Sequence, residues 1–229
     1  MVITASGGTD GANIVLFWPN NLPDDADAQL RDDPIALVEQ LRSEGRMIWF
    51  YCEGDGDYSA TFFIGTSIPI DLFRFCAEDE QYSELTVNGD GYFGGMEYMF
   101  KQDHTAYERN PHMLEKVDIP EGKYRAIVYS TTVADSFRRE WLLRRVGRKA
   151  LRLSNLLQWL VVLSAFSVLL LIVTLFVIHQ LIWIAFAAAV VFTAAAMLIS
   201  TTKGIKATRD SMVECEREFP SYVVHLDLL

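Results

Sequence analysis

The 229-residue sequence predicts an α+β soluble domain, mainly antiparallel sheet with β-hairpins and one or two helices, followed by a two-helix transmembrane hairpin. Two uncharged apolar runs, Leu156–Ile178 and Leu181–Ser200, are separated only by His179 and Gln180. Ahead of them, short β-rich runs alternate with Gly- and Asp-rich turns, the pattern left by antiparallel strands. Charge is split along the chain, acidic before the apolar runs and basic around them. These observations divide the sequence into an acidic domain (1–135), a basic amphipathic juxtamembrane helix (136–155), a helical hairpin (156–200, with spans 156–178 and 181–200) and a helical tail with a terminal β-rich segment (201–229).

Asn13–Trp18 is an apolar run bounded by turn residues and reads as a strand. The acidic stretch Pro19–Asp33 reads as a loop. It leads to a helix over Pro34–Ser43, with Pro34 in its first turn and Ile35, Leu37, Val38 and Leu41 as its buried face. Met47–Cys52 and Tyr58–Ile64 flank the turn Glu53–Asp57 and read as a hairpin. A short helix is expected over Ile70–Ala77. Glu84–Val87 and Tyr92–Phe93 surround Asn88–Gly91, a second hairpin signal. Tyr124–Ser130 reads as a further strand. Strands outnumber helices and arrive in hairpins, as in an antiparallel α+β domain. Met1–Asn13 is polar and glycine-rich and carries no apolar targeting core. After Ser200 the second helix is expected to run on to Glu218, with Pro220 stopping it. Tyr222–Leu226 then either returns to the domain as an edge strand or hangs free.

At about 1.5 Å per residue the two runs measure roughly 34 and 30 Å, matching a hydrocarbon core of about 30 Å. Lipid offers the backbone no hydrogen-bond partner, so both runs must be helical. Helices of a soluble core alternate apolar and polar faces, and these do not. Trp159 and Trp183 fall toward opposite ends of the pair, where interfacial anchors sit. Ser164, Ser167 and Thr174 on the first span, and Ala185, Ala189, Thr193 and Ala196 on the second, form the small or polar stripes along which helices approach in lipid. A homo-oligomer would associate along the same stripes. No Asp, Glu, Lys or Arg lies inside either run, which argues against a proton relay, a transporter or a charge-lined channel.

Seven cations precede the first run: Arg138, Arg139, Arg144, Arg145, Arg148, Lys149 and Arg152, opposed only by Glu140. Lys203, Lys206 and Arg209 follow the second. Positive flanks stay in the cytoplasm, so both termini are expected there, with His179–Gln180 on the outer face. Phe137, Trp141, Leu142, Val146, Ala150 and Leu153 recur at three- and four-residue steps. That periodicity predicts a helix lying on the bilayer, the seven cations facing anionic lipid. Gly147 weakens it midway. Alternatively the arginines only set topology and the helix packs on its own domain.

Residues 1–137 hold nine Lys/Arg against 24 Asp/Glu, a net of −15, whereas 138–209 carry +9 and 210–229 carry −4. A domain so acidic has no patch to neutralise phosphates, which disfavours nucleic acid and suits a protein partner with a basic surface. The candidate contacts are Asp24, Asp25, Asp27, Asp32, Asp33, Glu78, Asp79 and Glu80. Tyr92 and Phe93 join them from the glycine-dense segment Asn88–Gly95, which reads as a tight double turn or a recognition loop.

Catalytic and metal chemistry finds no support. Cys52, Cys76 and Cys215 lack CxxC spacing, and His104, His112, His179 and His225 lack the helical pairing of a zinc site. Glu53–Asp57 begins like a calcium loop, but Tyr58 stands where its glycine belongs and Ile64 where its bidentate acid belongs. Gly7, Gly8 and Gly11 lack the lysine of a phosphate loop. No two carboxylates are singled out as an acid pair. The expectation is a non-enzymatic protein without cofactor or metal.

In layout, with an acidic head, a basic segment and an apolar pair, the chain resembles membrane-anchored immunity proteins of bacterial toxin systems, including those paired with type VI secretion effectors. The resemblance covers the organisation of the whole chain and no motif. It implies residence in the bacterial inner membrane and neutralisation of a toxin by direct binding. Two readings stand beside it: a membrane-perturbing effector whose hairpin oligomerises, and a membrane-tethered regulatory adaptor.

Overall fold

In a computed structural model, residues 1–177 and 182–229 are described, without the side chains of 171, 173–177 and 182–185. The expected tip His179–Gln180 lies outside them. The chain separates into two compact units, Met1–Val133 with Glu216–Leu229, and Ala134–Cys215. The first is a mixed α and β domain, and the second is helical.

Nine strands are found among the described residues: β1 (Val2–Thr9), β2 (Asn13–Phe17), β3 (Met47–Tyr51), β4 (Gly56–Ile64), β5 (Cys76–Val87), β6 (Gly91–Gly95), β7 (Leu114–Val117), β8 (Gly122–Thr131) and β9 (Tyr222–Leu228). They form a five-stranded sheet, β1-β4-β9-β8-β5, and a four-stranded sheet, β3-β2-β6-β7. Every pair is antiparallel except β4 with β9. The helices are α1 (Ala26–Asp32), α2 (Pro34–Ser43), α3 (Ile70–Phe73), α4 (Thr105–Arg109), α5 (Asp135–Val177), α6 (Ile182–Ser200) and α7 (Lys203–Glu218).

Strand β2 shows why its apolar run is continuous. Ile14 and Leu16 join Phe50, Phe62, Phe93, Tyr124 and Val224 in a core drawn from both sheets. Val15 and Phe17, on the opposite face, join Leu37, Val38 and Leu41 of α2 in a second cluster. A strand buried on both faces has no polar alternation to display. Helix α2 has the predicted bounds: Asp33 caps it by accepting the Ala36 N–H at 3.1 Å, and Pro34 fills its first position. Ile35, expected on its buried face, is 38% exposed, and Leu37, Val38 and Leu41 carry the contact.

Both expected hairpins are corrected. β3 pairs with β2, whereas β4 pairs with β1 and β9 in the other sheet. Likewise β5 pairs with β8, whereas β6 pairs with β2 and β7. Glu53–Asp57 and Asn88–Gly91 therefore carry the chain from one sheet to the other. Turn chemistry marks where a chain bends, and burial of strand faces decides what it then pairs with. The Asn88–Gly95 segment is accordingly neither a double turn nor a recognition loop throughout, since Gly91–Gly95 is β6. The acidic stretch Pro19–Asp33 contains α1 and is not simply a loop. The helix expected over Ile70–Ala77 ends at Phe73, and β5 begins at Cys76.

Tyr222–Leu228 is neither an edge strand nor free. It runs between β4 and β8, and Val223, Val224 and Leu226 are fully buried. The unit Ala134–Cys215 is thus an insertion between two paired strands. Its two connections leave the sheet together: the Thr131 N–H donates to Ser221 O at 3.0 Å, and the Thr131 hydroxyl donates to Pro220 O.

The glycine-rich N-terminus forms β1, and its composition has a steric cause. A Cβ on Gly7 would lie 2.6 Å from both Gly94 Cα and Phe93 O, and the Gly8 N–H donates to Met113 O at 3.1 Å. Here β1 passes backbone to backbone against the other sheet. Replacing Gly7 with Ala is expected to destabilise the full-length protein by about 1–3 kcal/mol through overpacking. Gly54→Ala, with nothing within 4 Å of the added carbon, serves as the neutral control in the same thermal unfolding comparison.

Candidate membrane and partner interfaces

Within the helical unit, α5 and α6 pack along one another, and their surfaces are inverted relative to a soluble bundle. Ser167 and Ala189 are buried. The Ser164 and Thr193 hydroxyls bond at 2.7 Å, and the Ser167 hydroxyl donates to Leu163 O at 2.7 Å. Phe166 and Val191 are each 61% exposed, and Leu198 is 73% exposed. Ala196 is half-buried, and the side chain of Ala185 lies outside the described residues. By length and composition the helix Asp135–Leu170 is apolar enough to cross a membrane, with 11% of its apolar window buried.

The helices bend at two places, one within the basic segment and one where the second apolar run ends. At Gly147 (φ 78°, ψ 163°) α5 leaves helical geometry, a conformation open to glycine at little cost. Gly147 thus breaks the expected amphipathic helix into two limbs instead of merely weakening it. Near the other end, α6 stops at Ser200 and α7 departs at 67°, so the second helix does not run straight on to Glu218. The hydroxyls of Ser200, Thr201 and Thr202 donate to the carbonyls of Met197, Leu198 and Ile199, the back-bonding that bends helices. Lys203, the first charge after the apolar run, opens α7.

All seven cations between Arg138 and Arg152 are exposed. Arg144 pairs with Glu140 at 2.6 Å, and Arg145 pairs with Glu214 of α7 at 2.7 Å while lying over the Trp141 ring. Among the described residues, Arg138, Arg139, Arg148, Lys149 and Arg152 form no ion pair. Four of them, Arg138, Arg139, Arg148 and Arg152, line a groove of about 740 Å³ across the Gly147 break, with Leu142 and Met212 supplying apolar wall. The groove depends on that break, because periodicity alone projects one straight helix.

In the strand domain the candidate acids separate by role. Asp27 accepts the backbone N–H groups of Lys101, Gln102 and Asp103 at 2.7, 2.9 and 3.0 Å, fastening that loop to α1. Asp33 is the α2 cap. Glu80 pairs with Arg42 at 2.7 Å and accepts the Tyr82 hydroxyl. Asp79 accepts from Ser130 and Glu78 from Gln81. These last three acids lie on β5, at the border of its sheet, where charge discourages edge-to-edge pairing. Asp24, Asp25 and Asp32 stay exposed around α1. Phe93 is fully buried between the sheets and is no contact residue. Tyr92 is half-buried among Phe17, Phe100 and Tyr107. A carboxylate one residue before Pro34 advertises the cap, whereas nothing local advertises the role of Asp27.

Burial pushes the Cys76 thiol up to about 11 and also raises Cys52, so both are poor nucleophiles at neutral pH. Among the described residues no group of three His, Cys, Asp or Glu is placed to hold a metal ion.

No protein-family model matches the chain, and no curated protein matches it. A solved structure, "Crocagin biosynthetic gene J", is similar at 13% identity and a TM-score of 0.35, covering 57% of this chain and 77% of that one.

Burial alone would raise the Asp27 carboxyl, but its three N–H donors outweigh it and hold the group below its ordinary 3.8. A carboxyl lowered on folding contributes stability that is present above its unfolded value and lost as pH falls through the folded one. Asp27→Asn is therefore expected to cost about 1 kcal/mol near neutrality, from weakened N–H contacts. The same change should flatten the loss of stability below pH about 4, as measured by unfolding of wild type and variant across pH.

Proposed function

We propose that this chain is a membrane-anchored, non-enzymatic binding protein. In this reading α5, from near Leu156, and α6 form a transmembrane hairpin, and the strand domain captures a protein partner at the cytoplasmic face of a bacterial inner membrane. The observation that carries the reading is the inverted burial of α5 and α6, with serine, threonine and alanine between the helices and large apolar side chains outside. In water such a surface would drive aggregation, and in lipid it is ordinary. Cations at both flanks support cytoplasmic termini. The bend at Ser200–Lys203 supports a membrane boundary there, because the chain changes direction where its apolar character ends.

The most concrete form of this function is an immunity protein that neutralises a toxin by direct binding. Exposed Asp24, Asp25 and Asp32, together with Glu78 and Asp79, leave carboxylates for a basic partner surface. Exposed acids that face cations on a partner give a fast, salt-sensitive encounter.

The full-length protein is expected to stay in the membrane pellet through an alkaline wash and to need detergent for release. His179→Cys should react with a membrane-impermeant maleimide in intact spheroplasts, and Asp24→Cys only after permeabilisation. Labelling of Asp24→Cys from outside would reverse the orientation. Expression is expected to be harmless and to rescue growth against the product of the adjacent gene. Depolarisation on expression alone would favour a membrane-perturbing effector.

A further inference from the structure

Distributed positive charge and a built site differ in one respect: a site holds its cations in a fixed arrangement around a concave space. The groove at the Gly147 break supplies the concave space, and two limbs of one helix bring its cations to it. Arg138 and Arg139 come from one limb of α5, and Arg148 and Arg152 from the other. These guanidinium groups have no carboxylate partner among the described residues, in a unit where Arg144 and Arg145 have found theirs. Asp135 is the carboxylate lining the groove, and Asn155 adds an amide. Leu142 and Met212 provide an apolar wall beside the cations.

We propose that this groove is a stoichiometric binding site for an anionic phospholipid, the arginines holding its phosphate and the apolar wall lying along the upper part of an acyl chain. Guanidinium groups suit phosphate because their paired N–H donors match two oxygens at once. Four of them exceed what Asp135 can neutralise. An amphiphile also fits the mixed lining better than a free anion does, since a small ion would leave the exposed Met212 facing water. The kink is what creates the site: a continuous helix through residue 147 would carry the same seven cations without the re-entrant space between limbs. The inference rests on the membrane-anchored reading and adds to it a defined lipid, held by geometry beyond the general attraction of a basic segment for an anionic leaflet.

The test uses full-length protein in a neutral detergent, titrated with dioleoylphosphatidylglycerol, dioleoylphosphatidylcholine or inorganic phosphate, and followed by native mass spectrometry. One phosphatidylglycerol per chain is expected to bind saturably, about tenfold more tightly than phosphatidylcholine. Arg138→Gln with Arg148→Gln, one from each limb, should abolish that preference. Lys203→Gln with Lys206→Gln, which removes the same charge outside the groove, should leave it intact. Gly147→Ala is the sharper variant. It retains every cation, meets open space around the added carbon, and disfavours the positive φ that makes the break. It should lose the preference while remaining folded by circular dichroism. The proposal is overturned if binding is unsaturable and falls equally with either charge pair, or if Gly147→Ala changes nothing. It is equally overturned if millimolar inorganic phosphate displaces the lipid, which would make the groove a simple anion site. A chain that stays soluble without detergent would instead defeat the anchoring reading, and that outcome is visible before any lipid is added.

Discussion

Phe166, Val191 and Leu198 present large apolar side chains outward, while Ser164, Ser167, Ala189 and Thr193 lie on the side where α5 and α6 meet. This arrangement reverses the one imposed by water, in which apolar groups collapse inward and hydroxyls stay hydrated. In lipid the apolar exterior costs nothing and hydrophobic collapse provides no drive, so helices associate through close backbone approach and the occasional hydroxyl pair. The remaining features of the helical unit follow from that constraint. Its cations fall outside the apolar stretch, and its helices break at Gly147, within the basic segment, and at Ser200–Thr202, where apolar sequence gives way to charge.

The strand domain solves a different problem, which is to close a sheet across a long insertion. β9 lies between β4 and β8 and receives hydrogen bonds along both edges. Its Val223, Val224 and Leu226 are fully buried, so the sheet without it would expose two apolar seams. The Tyr222 hydroxyl, donating to Tyr51 O at 2.5 Å, also ties β9 to the other sheet. The strand that joins β4 to β8 thus comes from beyond the helical unit in sequence. A parallel neighbour distant in sequence carries a substantial closure entropy. The bond from the Thr131 N–H to Ser221 O brings the end of β8 beside the start of β9, so the chain leaves and re-enters this domain at neighbouring points.

What the sequence displays and what it hides follow the distance over which each determinant acts. Pro34–Ser43 is readable to its last residue because cap, first-turn proline and apolar spacing all lie within one element. The turns at Glu53–Asp57 and Asn88–Gly91 are readable for the same reason. The pairing of the strands they connect is not, since it depends on which faces share a core with residues far away. β1 escapes periodicity because Gly7 and Gly8 trade side chains for close backbone approach. β9 is β-rich in composition, yet only its neighbours make it a central strand. At the candidate interfaces, charge segregation is plain in the sequence, whereas the groove needs the Gly147 break, and the service of Asp27 and Glu80 within the domain needs tertiary contacts. Phe93 shows the commonest hazard: an aromatic in a glycine-rich stretch suggests recognition, and here it fills the core.

The proposed function asks an acidic, sheet-built unit to meet a partner and a basic helical unit with an apolar exterior to meet lipid, so the two attractions would act on different parts of the chain. That description stands or falls on the solvent of α5 and α6. The direct measurement is the collision rate of a nitroxide, introduced at Phe166→Cys or Val191→Cys in full-length protein reconstituted into phosphatidylcholine–phosphatidylglycerol vesicles, with oxygen and with a water-soluble nickel chelate. The account predicts frequent collisions with oxygen and almost none with nickel at both positions. Free access of nickel at both would place these helices in water and contradict it.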